Sequence, residues 1–439
     1  MKKILIKNGT VFDGRSVKKA DILIEGHKIS KVGKIPQIKG AQVIDASNKV
    51  VMPGFICAHH HLYSTFARGM AIPGTPAKTF VEILEKLWWP LDRVLDEEDL
   101  YLSAIYALGE CIKAGTTTII DHHESQDFQI GSLDVLMSAS EKAGIRACLT
   151  LGASDRYGKG DEGVKENERF LKKLASESHP LIRAMAGLHA AFTVNDDTLL
   201  KTVRISRKYN CGIHIHVAEA KSDEDHSLRK YKKRIVERLA KAGALDRKTI
   251  LVHCVHINDR EINLIKKKDA IVVHNPESNM NNAVGWADVL KMLKKGVLVG
   301  LGTDGMSSDM PKQMRAAYLI ARDSKRDPRV AFCEAPQMLL QNNPEIAKRI
   351  FGLKLGIIKK GATGDLVLLD YLPPTPLNSG NFLGHFIFGL VNATVDTTIS
   401  NGKILMKNRK ILVFDEKKIS EKCIERAKKF WKKFEKQAT

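Results

Sequence analysis

Residues 53–61 read PGFICAHHH, a short apolar run that ends in three histidines. Seven further runs rich in apolar and β-branched residues follow it, and helical periodicity separates them. They are GTTTIIDHH (115–123), IRACLTLGA (145–153), IRAMAGLHA (182–190), CGIHIHVAE (211–219), TILVHCVHI (249–257), AIVVHNP (270–276) and GVLVGLGTD (296–304). Strands that alternate with helices predict parallel pairing with right-handed crossovers. Eight such units predict an α/β fold of the (β/α)8 barrel type.

The two ends of the chain follow a different pattern. Short alternating runs separated by Gly and Asn, such as DILIEGHKISKVG and ATVDTTISNGKILMKN, are typical of antiparallel strands. We expect residues 1–52 and 358–439 to form one small β-sandwich, closed by a terminal helix at 419–437. The barrel would then occupy residues 53–357.

A long segment without strand periodicity, residues 62–97, follows the first barrel run. It is rich in Gly, Pro and Trp, and a loop of this length in a compact domain is usually a lid or a binding loop. Trp88 and Trp89 within it could cap a planar ring or pack inside the lid.

Bulk composition excludes several classes of protein. The 439 residues carry a net charge of +20, but the lysines are mixed with acids on amphipathic helices, so we expect no nucleic-acid partner. No apolar stretch is long enough to span a membrane, and the N-terminus lacks a signal-peptide core. The seven cysteines include no CxxC pair and fit buried, reduced thiols. We expect a cytoplasmic protein.

Polar groups that bind metals or carry protons end several of the barrel runs. Catalysis in such barrels occurs at the carboxyl ends of the strands. His59 and His61 are two residues apart and share one face of their strand, whereas His60 points away. The other groups at this rim are His216, Glu219, His253 and Asp304. Buried without partners, such groups would cost several kcal/mol in desolvation, which a metal ion offsets.

These same runs carry a resemblance to a known family. PGFICAHHH, HVAE, LVHCVH and GLGTDG resemble motifs of the amidohydrolase superfamily, in its single-metal branch of cytosine, guanine and S-adenosylhomocysteine deaminases and triazine hydrolases. PGFICAHHHLYSTFARGM, GLHAAFTV and the SDR at 154–156 are similar to the SsnA-type aminohydrolases. The resemblance covers nearly the whole chain. One departure is Cys57, where relatives often have Asn or Asp.

The resemblance implies a role for each residue of the set. One divalent metal ion, zinc or ferrous iron, would be bound by His59, His61, His216 and Asp304. Asp304 would also take a proton from the metal-activated water, and His253 would orient that water. Glu219 would protonate the ring nitrogen beside the carbon that is attacked.

Further positions are implied more weakly. His189 occupies the position at which deaminase relatives contact their substrate. Relatives that bind two metal ions commonly have a bridging lysine at this position, so the histidine implies a single metal ion. Arg156 either binds a polar group of the substrate or is a solvated loop arginine. Asp121, His122 and His123 are expected around the metal ligands. His214, one layer deeper than His216, is expected to be a hydrogen-bonded core residue.

We therefore predict a hydrolase that deaminates a purine-like or pyrimidine-like ring and releases ammonia. Two alternatives remain open from the sequence. The same site could open a cyclic amide ring by hydrolysis, or the barrel could be a non-catalytic basic binding protein, such as an RNA binder. The family resemblance also implies a homodimer.

Overall fold

The structure is a computed structural model that describes residues 2–438. Its strands are β1 (Lys3–Phe12), β2 (Val17–Glu25), β3 (Lys28–Gly33), β4 (Gln42–Asp45), β5 (Lys49–Pro53), β6 (Phe55–His60), β7 (Thr116–Asp121), β8 (Arg146–Leu149), β9 (Ile182–Ala184), β10 (Ala186–Ala190), β11 (Ile213–Val217), β12 (Ile250–His253), β13 (Ile271–His274), β14 (Leu298–Leu301), β15 (Leu366–Asp370), β16 (Thr394–Ser400), β17 (Lys403–Lys407) and β18 (Lys410–Ile411).

The helices of the same residues are α1 (Phe80–Ile83), α2 (Trp89–Val94), α3 (Glu97–Ala114), α4 (Ser132–Ala143), α5 (Gly160–Ser176), α6 (Asp196–Tyr209), α7 (Lys221–Tyr231), α8 (Ile235–Ala242), α9 (Asp259–Lys267), α10 (Pro276–Asn281), α11 (Val289–Lys294), α12 (Met310–Lys325), α13 (Glu334–Gln337), α14 (Asn343–Phe351), α15 (Phe382–Phe388) and α16 (Glu416–Ala438). Short π-helical turns at Leu84–Trp88 and Met338–Asn342 join α1 to α2 and α13 to α14. Nowhere between residues 2 and 438 does a helix combine the length and apolarity needed to cross a membrane.

Strands from both ends of the chain form one mixed sheet. Its order is β18-β17-β16-β15-β5-β1-β2-β3, and β4 pairs with β1. The two ends meet where β15 runs antiparallel to β5, with Leu368 opposite Val51. This pairing supports our proposal that residues 1–52 and 358–439 form one unit beside the barrel.

The barrel prediction is confirmed in its eight strand positions. Each of the eight predicted runs contains a parallel strand, and the fourth run is split at Met185 into β9 and β10. The strands form two hydrogen-bonded sheets, β6-β7-β8-β9 and β10-β11-β12-β13-β14. Parallel bridges between Ala153 and Leu188 and between His60 and Asp304 join the two sheets.

The strands of the barrel are buried on both faces, as expected for a parallel sheet covered by helices. Ile119 belongs to the cluster that packs between strands and helices. Ile120, its neighbour, belongs to a second cluster with Ile56 and Val252, which fills the barrel interior. Because successive side chains point to opposite faces of a strand, each barrel strand contributes residues to both hydrophobic clusters.

The last strand meets the first through a close backbone approach. The amides of Thr303 and Asp304 both donate to the His59 carbonyl, at 2.9 and 3.2 Å. A Cβ atom on Gly302 would lie 2.7 Å from the same carbonyl oxygen and 2.5 Å from Asn275 Oδ1. Only glycine leaves room for this contact, so Gly302 is required by the closure of the barrel.

The segment 62–97 is anchored to the terminal helix at both ends. Trp431 Nε1 of α16 donates to the Phe66 carbonyl at 2.8 Å. Arg426 Nε, also on α16, donates to Asp99 Oδ1 at 2.5 Å, just beyond the far end of the segment. α16 packs against α2 and α3, which ties the terminal helix to the barrel.

We expect Gly302→Ala to lower the free energy of unfolding, because the added methyl group overpacks a backbone contact, a change that costs about 1–3 kcal/mol. Urea denaturation of the purified protein measures the change. The matched control is Gly384→Ala in α15, where nothing lies within 4 Å of an added Cβ, and its stability should be unchanged or slightly higher. Equal stability of Gly302→Ala and the parent protein would contradict this account of the closure.

Candidate active site

The predicted metal ligands converge at the carboxyl ends of the barrel strands. His59 and His61 extend from β6 and His216 from β11, and one ring nitrogen of each lies within 4.8 Å of the others. His59 Nε2 is 3.3 Å from His216 Nε2, and His61 Nε2 is 3.0 Å from Asp304 Oδ1. His60 points away, as predicted, with Nε2 3.1 Å from Ser308 Oγ.

Two of these histidines are oriented by backbone carbonyls. His61 Nδ1 donates to the His122 carbonyl, and His216 Nδ1 donates to the His189 carbonyl at 2.6 Å. A carbonyl oxygen only accepts, so in the neutral rings Nδ1 carries the proton and the lone pair lies on Nε2. Both lone pairs therefore point into the cluster, as a metal ion requires.

His59 is held by a histidine that the sequence placed in the core. Its Nδ1 lies 3.0 Å from His214 Nε2, so His214 is buried and hydrogen-bonded as predicted, but its partner is the metal-ligand candidate. Burial lowers the pKa of His59 well below its usual value and that of His216 to about 3. These rings are neutral at physiological pH, and with the carboxylate of Asp304 they make a nitrogen–oxygen donor set that fits a divalent metal ion.

The pKa values of two carboxyl groups in this site are shifted in opposite directions. Burial raises the pKa of Glu219 well above its usual value, and the nearby charge of Asp304 raises it further. Burial also raises the pKa of Asp304, but pairing with His61, whose own pKa is raised by this contact despite burial, outweighs it, so the pKa of Asp304 is lowered strongly. The two carboxyl groups therefore differ in proton affinity, which suits general acid–base chemistry. His253 Nε2 lies between them, 3.4 Å from Glu219 Oε2 and 3.6 Å from Asp304 Oδ2.

The backbone is strained where two of these groups leave their strands. His253 has a φ of 69° and Asp304 a φ of 54°, in the left-handed region that non-glycine residues rarely adopt. Such a conformation costs of order 1–3 kcal/mol per residue and persists only where the surrounding structure enforces it. The turns aim both side chains into the site.

The segment that follows the seventh strand of the barrel also belongs to the site, although no residue of it was predicted to. Helix α10 and the residue after it contact all three proton-handling groups. Their hydrogen bonds run from Ser278 Oγ to Asp304 Oδ2 (2.7 Å), from His253 Nδ1 to Asn279 Oδ1 (2.8 Å) and from Asn282 Nδ2 to Glu219 Oε1 (3.2 Å). The available signal was the polar sequence ESNMNN at 277–282, which follows a strand end at the catalytic rim.

A pocket opens over the cluster. Its wall includes His189, predicted to contact substrate, whose Nδ1 is 2.8 Å from Thr193 Oγ1. The segment 62–97 contributes apolar and aromatic side chains to the wall, namely Tyr63, Phe80, Leu84 and Trp88. An apolar, aromatic wall above polar groups is suited to a planar ring.

Arg156 lies behind the pocket wall in a buried ion-pair cluster. Its Nη2 donates to Asp92 Oδ2 at 2.9 Å and to Glu124 Oε2 at 3.1 Å, and the guanidinium lies 5.2 Å from the centre of a Trp89 ring. Only 8% of the side chain is exposed, so the alternative of a solvated loop arginine is wrong. Trp89 faces this cluster, whereas Trp88 lines the pocket.

The remaining predicted neighbours differ in their contacts. Asp121 Oδ1 accepts a hydrogen bond from the Leu62 amide at 2.8 Å and so holds the chain just beyond the ligands. His123 is bonded to Ser125 Oγ at 2.9 Å. The Cys57 thiol lies 3.1 Å from the His59 carbonyl oxygen, so the departure at this position changes a contact beneath the metal ligands.

Comparison with known proteins identifies the family of this chain. The amidohydrolase family matches residues 50–405. The chain is 35% identical, over 95% of both chains, to a 5-methylthioadenosine/S-adenosylhomocysteine deaminase of Carboxydothermus hydrogenoformans. It is 33% identical to a 5'-deoxyadenosine deaminase of Methanosarcina mazei, over 96% of this chain and 97% of the relative.

Among solved structures, an adenosine deaminase from Xanthomonas campestris with bound zinc superposes with a TM-score of 0.85 at 21% identity, covering 99% of each chain. This likeness shows the common fold. The chain belongs to the amidohydrolase family and is a hydrolase that acts on carbon–nitrogen bonds.

Proposed function

We propose that this protein removes the 6-amino group of an adenine-type nucleoside by hydrolysis and releases ammonia. The observation that carries the proposal is the convergence of a metal-ligand set and two further carboxyl contacts on one pocket with an aromatic wall: burial raises the pKa of Glu219, and that of Asp304 is lowered. The deaminase names of relatives with 33–35% identity support it. They favour deamination over ring opening or simple binding.

Four side chains would hold one divalent metal ion, and we propose zinc. They are His59, His61, His216 and Asp304. When bound, the ion would lower the pKa of a water molecule to about 7, so that hydroxide is available near neutral pH. The zinc in the adenosine deaminase of similar fold supports this choice of metal.

Three side chains transfer protons or orient the water in the proposed reaction. Asp304 takes a proton from the attacking water, since its lowered pKa favours the ionised form, and returns a proton to the amino group so that ammonia can leave. Glu219 donates a proton to the ring nitrogen beside the attacked carbon, because burial raises its pKa and so favours the protonated form. His253, within 3.6 Å of Asp304 and 3.4 Å of Glu219, orients the water between them.

We also propose roles for two residues around the pocket, and a metal count, an oligomeric state and a location for the protein. His189 contacts the substrate from the pocket wall, and Arg156 contributes through the two carboxylates that it holds. A single metal, a homodimer and a cytoplasmic location are also proposed. The seven free thiols of the described structure fit a reducing compartment.

Zinc-loaded protein should release ammonia from at least one of adenosine, 5'-deoxyadenosine and 5'-methylthioadenosine. Mass spectrometry of the product should find an amino group replaced by oxygen, whereas ring opening would add one water. Glu219→Gln should lower kcat about 100- to 10,000-fold, because the general acid is lost. Glu177→Gln, at an exposed position just after α5, is the matched control and should retain full activity. Failure to release ammonia from all three nucleosides would contradict the proposal.

Ser278→Ala should weaken metal binding about 10- to 100-fold, because Asp304 loses the hydrogen bond that orients its carboxylate. Competition with a chelator of known zinc affinity measures this without any substrate. Met280→Ala on the same helix is the control, since the Met280 side chain is 45% exposed. Identical zinc affinities of Ser278→Ala and Met280→Ala would overturn the assigned role of Ser278.

Removal of the metal by a chelator should abolish ammonia release, and one equivalent of zinc per chain should restore it. Elemental analysis before and after treatment gives the stoichiometry. Two equivalents needed for full activity would contradict a single-metal site, and full activity in metal-free protein would contradict the role of the four ligands.

A further inference from the structure

The first and last strands of the barrel share little backbone hydrogen bonding. β6 pairs with β7 in one sheet and β14 pairs with β13 in the other, and no strand ladder joins β6 to β14 among residues 2–438. We call this boundary between β6 and β14 the seam. Its backbone hydrogen bonds in the described structure are the two that Thr303 and Asp304 donate to the His59 carbonyl, at the carboxyl ends of the strands. Toward the amino ends, a side chain holds the seam.

The side chain of Asn343, the first residue of α14, lies in the seam. Its Oδ1 accepts a hydrogen bond from the Leu301 amide at 2.9 Å. Its Nδ2 donates to the Ile56 carbonyl at 2.7 Å and to the Leu301 carbonyl at 2.9 Å. In a parallel ladder, an amide of one strand donates directly to a carbonyl of the next strand. Here the carboxamide of Asn343 connects the Leu301 amide to the Ile56 carbonyl and replaces that direct hydrogen bond.

The contacts match the donor and acceptor pattern of a carboxamide. Its oxygen accepts once, and both hydrogens of its nitrogen are donated. Asn343 is fully buried, so the backbone groups that it contacts would be left unpaired without it, at a cost in free energy. A carboxylate at this position would have no hydrogen to donate and would lie against the carbonyl oxygens of Ile56 and Leu301. The seam therefore requires an uncharged amide.

Two neighbours hold Asn343 in place. A Cβ atom at position 300 would lie 2.4 Å from Asn343 Oδ1, so Gly300 leaves the space that the carboxamide occupies. Ile346 and Ala347, further along α14, belong to the hydrophobic cluster that fills the barrel interior. The helix is thus fixed relative to the strands, and the carboxamide cannot leave the seam without losing its three hydrogen bonds.

The seam supports the metal-ligand set. Ile56 lies three residues before His59 on one strand, and Leu301 lies three residues before Asp304 on the other. Because a strand rises about 3.3 Å per residue, a slip of a fraction of one residue would change the 3.0 Å distance between His61 Nε2 and Asp304 Oδ1. Functional groups need to be held within about 0.5 Å of their working geometry. The side chain that fixes the two strands therefore affects the ligands beyond it.

We infer that Asn343 is a positioning residue for the metal site. Its carboxamide fixes the last barrel strand against the first and so sets the position of Asp304 relative to His59 and His61. Its hydrogen bonds in the described structure go to Ile56 and Leu301 and not to a ligand side chain, so it acts through the strands. The inference rests on the proposed metal site and names a residue outside the pocket on which metal affinity depends.

Asn343→Ala should weaken zinc binding at least about tenfold, because the ligands are held less rigidly. The matched control is Asn342→Ala. Asn342 Nδ2 donates to the Val299 carbonyl at 2.6 Å, so this buried neighbour contacts β14 alone and does not cross the seam. Competition with a chelator of known zinc affinity is measured at a temperature at which circular dichroism shows both variants to be folded.

The control separates positioning from stability. Both substitutions remove a buried amide and should lower the midpoint of urea denaturation, whereas Asn343→Ala alone should lower the zinc affinity of the folded protein. Equal zinc affinities of the two folded variants would overturn the inference.

Gly300→Ala tests the same contact from β14, and it decides the question if Asn343→Ala does not fold. The added methyl group would displace the carboxamide from the Leu301 amide, so zinc binding should again weaken at least about tenfold. Wild-type zinc affinity in folded Gly300→Ala would overturn the inference.

Hydrogen exchange separates this inference from the proposed function, because it needs neither metal nor substrate. The Thr303 and Asp304 amides, which donate to the His59 carbonyl, should exchange at least about tenfold faster in Asn343→Ala than in Asn342→Ala, as measured by NMR. Equal exchange in the two variants would overturn the inference. If this difference is present but the wild-type protein binds no zinc and releases no ammonia, the proposed function fails and the role of Asn343 at the seam stands.

Discussion

The site depends on one backbone contact, the pair of amide hydrogen bonds that Thr303 and Asp304 donate to the His59 carbonyl. This contact joins the last barrel strand to the first. It places the Asp304 carboxylate 3.0 Å from His61 Nε2 although more than half of the chain lies between the two residues. Because a Cβ at position 302 would occupy the space of that carbonyl, the contact can form only with glycine there. Closure of the barrel and assembly of the metal-ligand set are therefore one event.

Burial explains the electrostatics around the cluster. Imidazoles that are kept neutral by desolvation present lone pairs to one point, and a cation compensates the cost of packing them together. The same burial raises the pKa of Glu219, whereas pairing with His61, whose pKa is raised in return, lowers the pKa of Asp304. A hydrolase that must both donate and accept protons at one pH needs this difference between two carboxyl groups. It arises from position in the fold, since Asp and Glu alone have similar pKa values.

Positioning groups were harder to predict than the groups they position. The sequence indicated His59, His216 and Asp304 because each ends a strand of the barrel. It did not indicate Ser278 or Asn279, which lie on a helix after a strand that contributes no ligand. Amides and hydroxyls are common on loops and carry no periodic signal. Only the tertiary contacts distinguish these two from ordinary surface residues.

The sequence by itself determined the eight-strand order, the face of each strand that carries a ligand and the chemical types gathered at the rim. Side-chain alternation and the parallel direction of the strands are local rules, so the pattern of residues suffices for them. The tertiary structure alone decided that Arg156 is held by Asp92 and Glu124 and that His214 supports His59. These contacts join residues far apart in the chain, and their distances depend on how the barrel closes and packs.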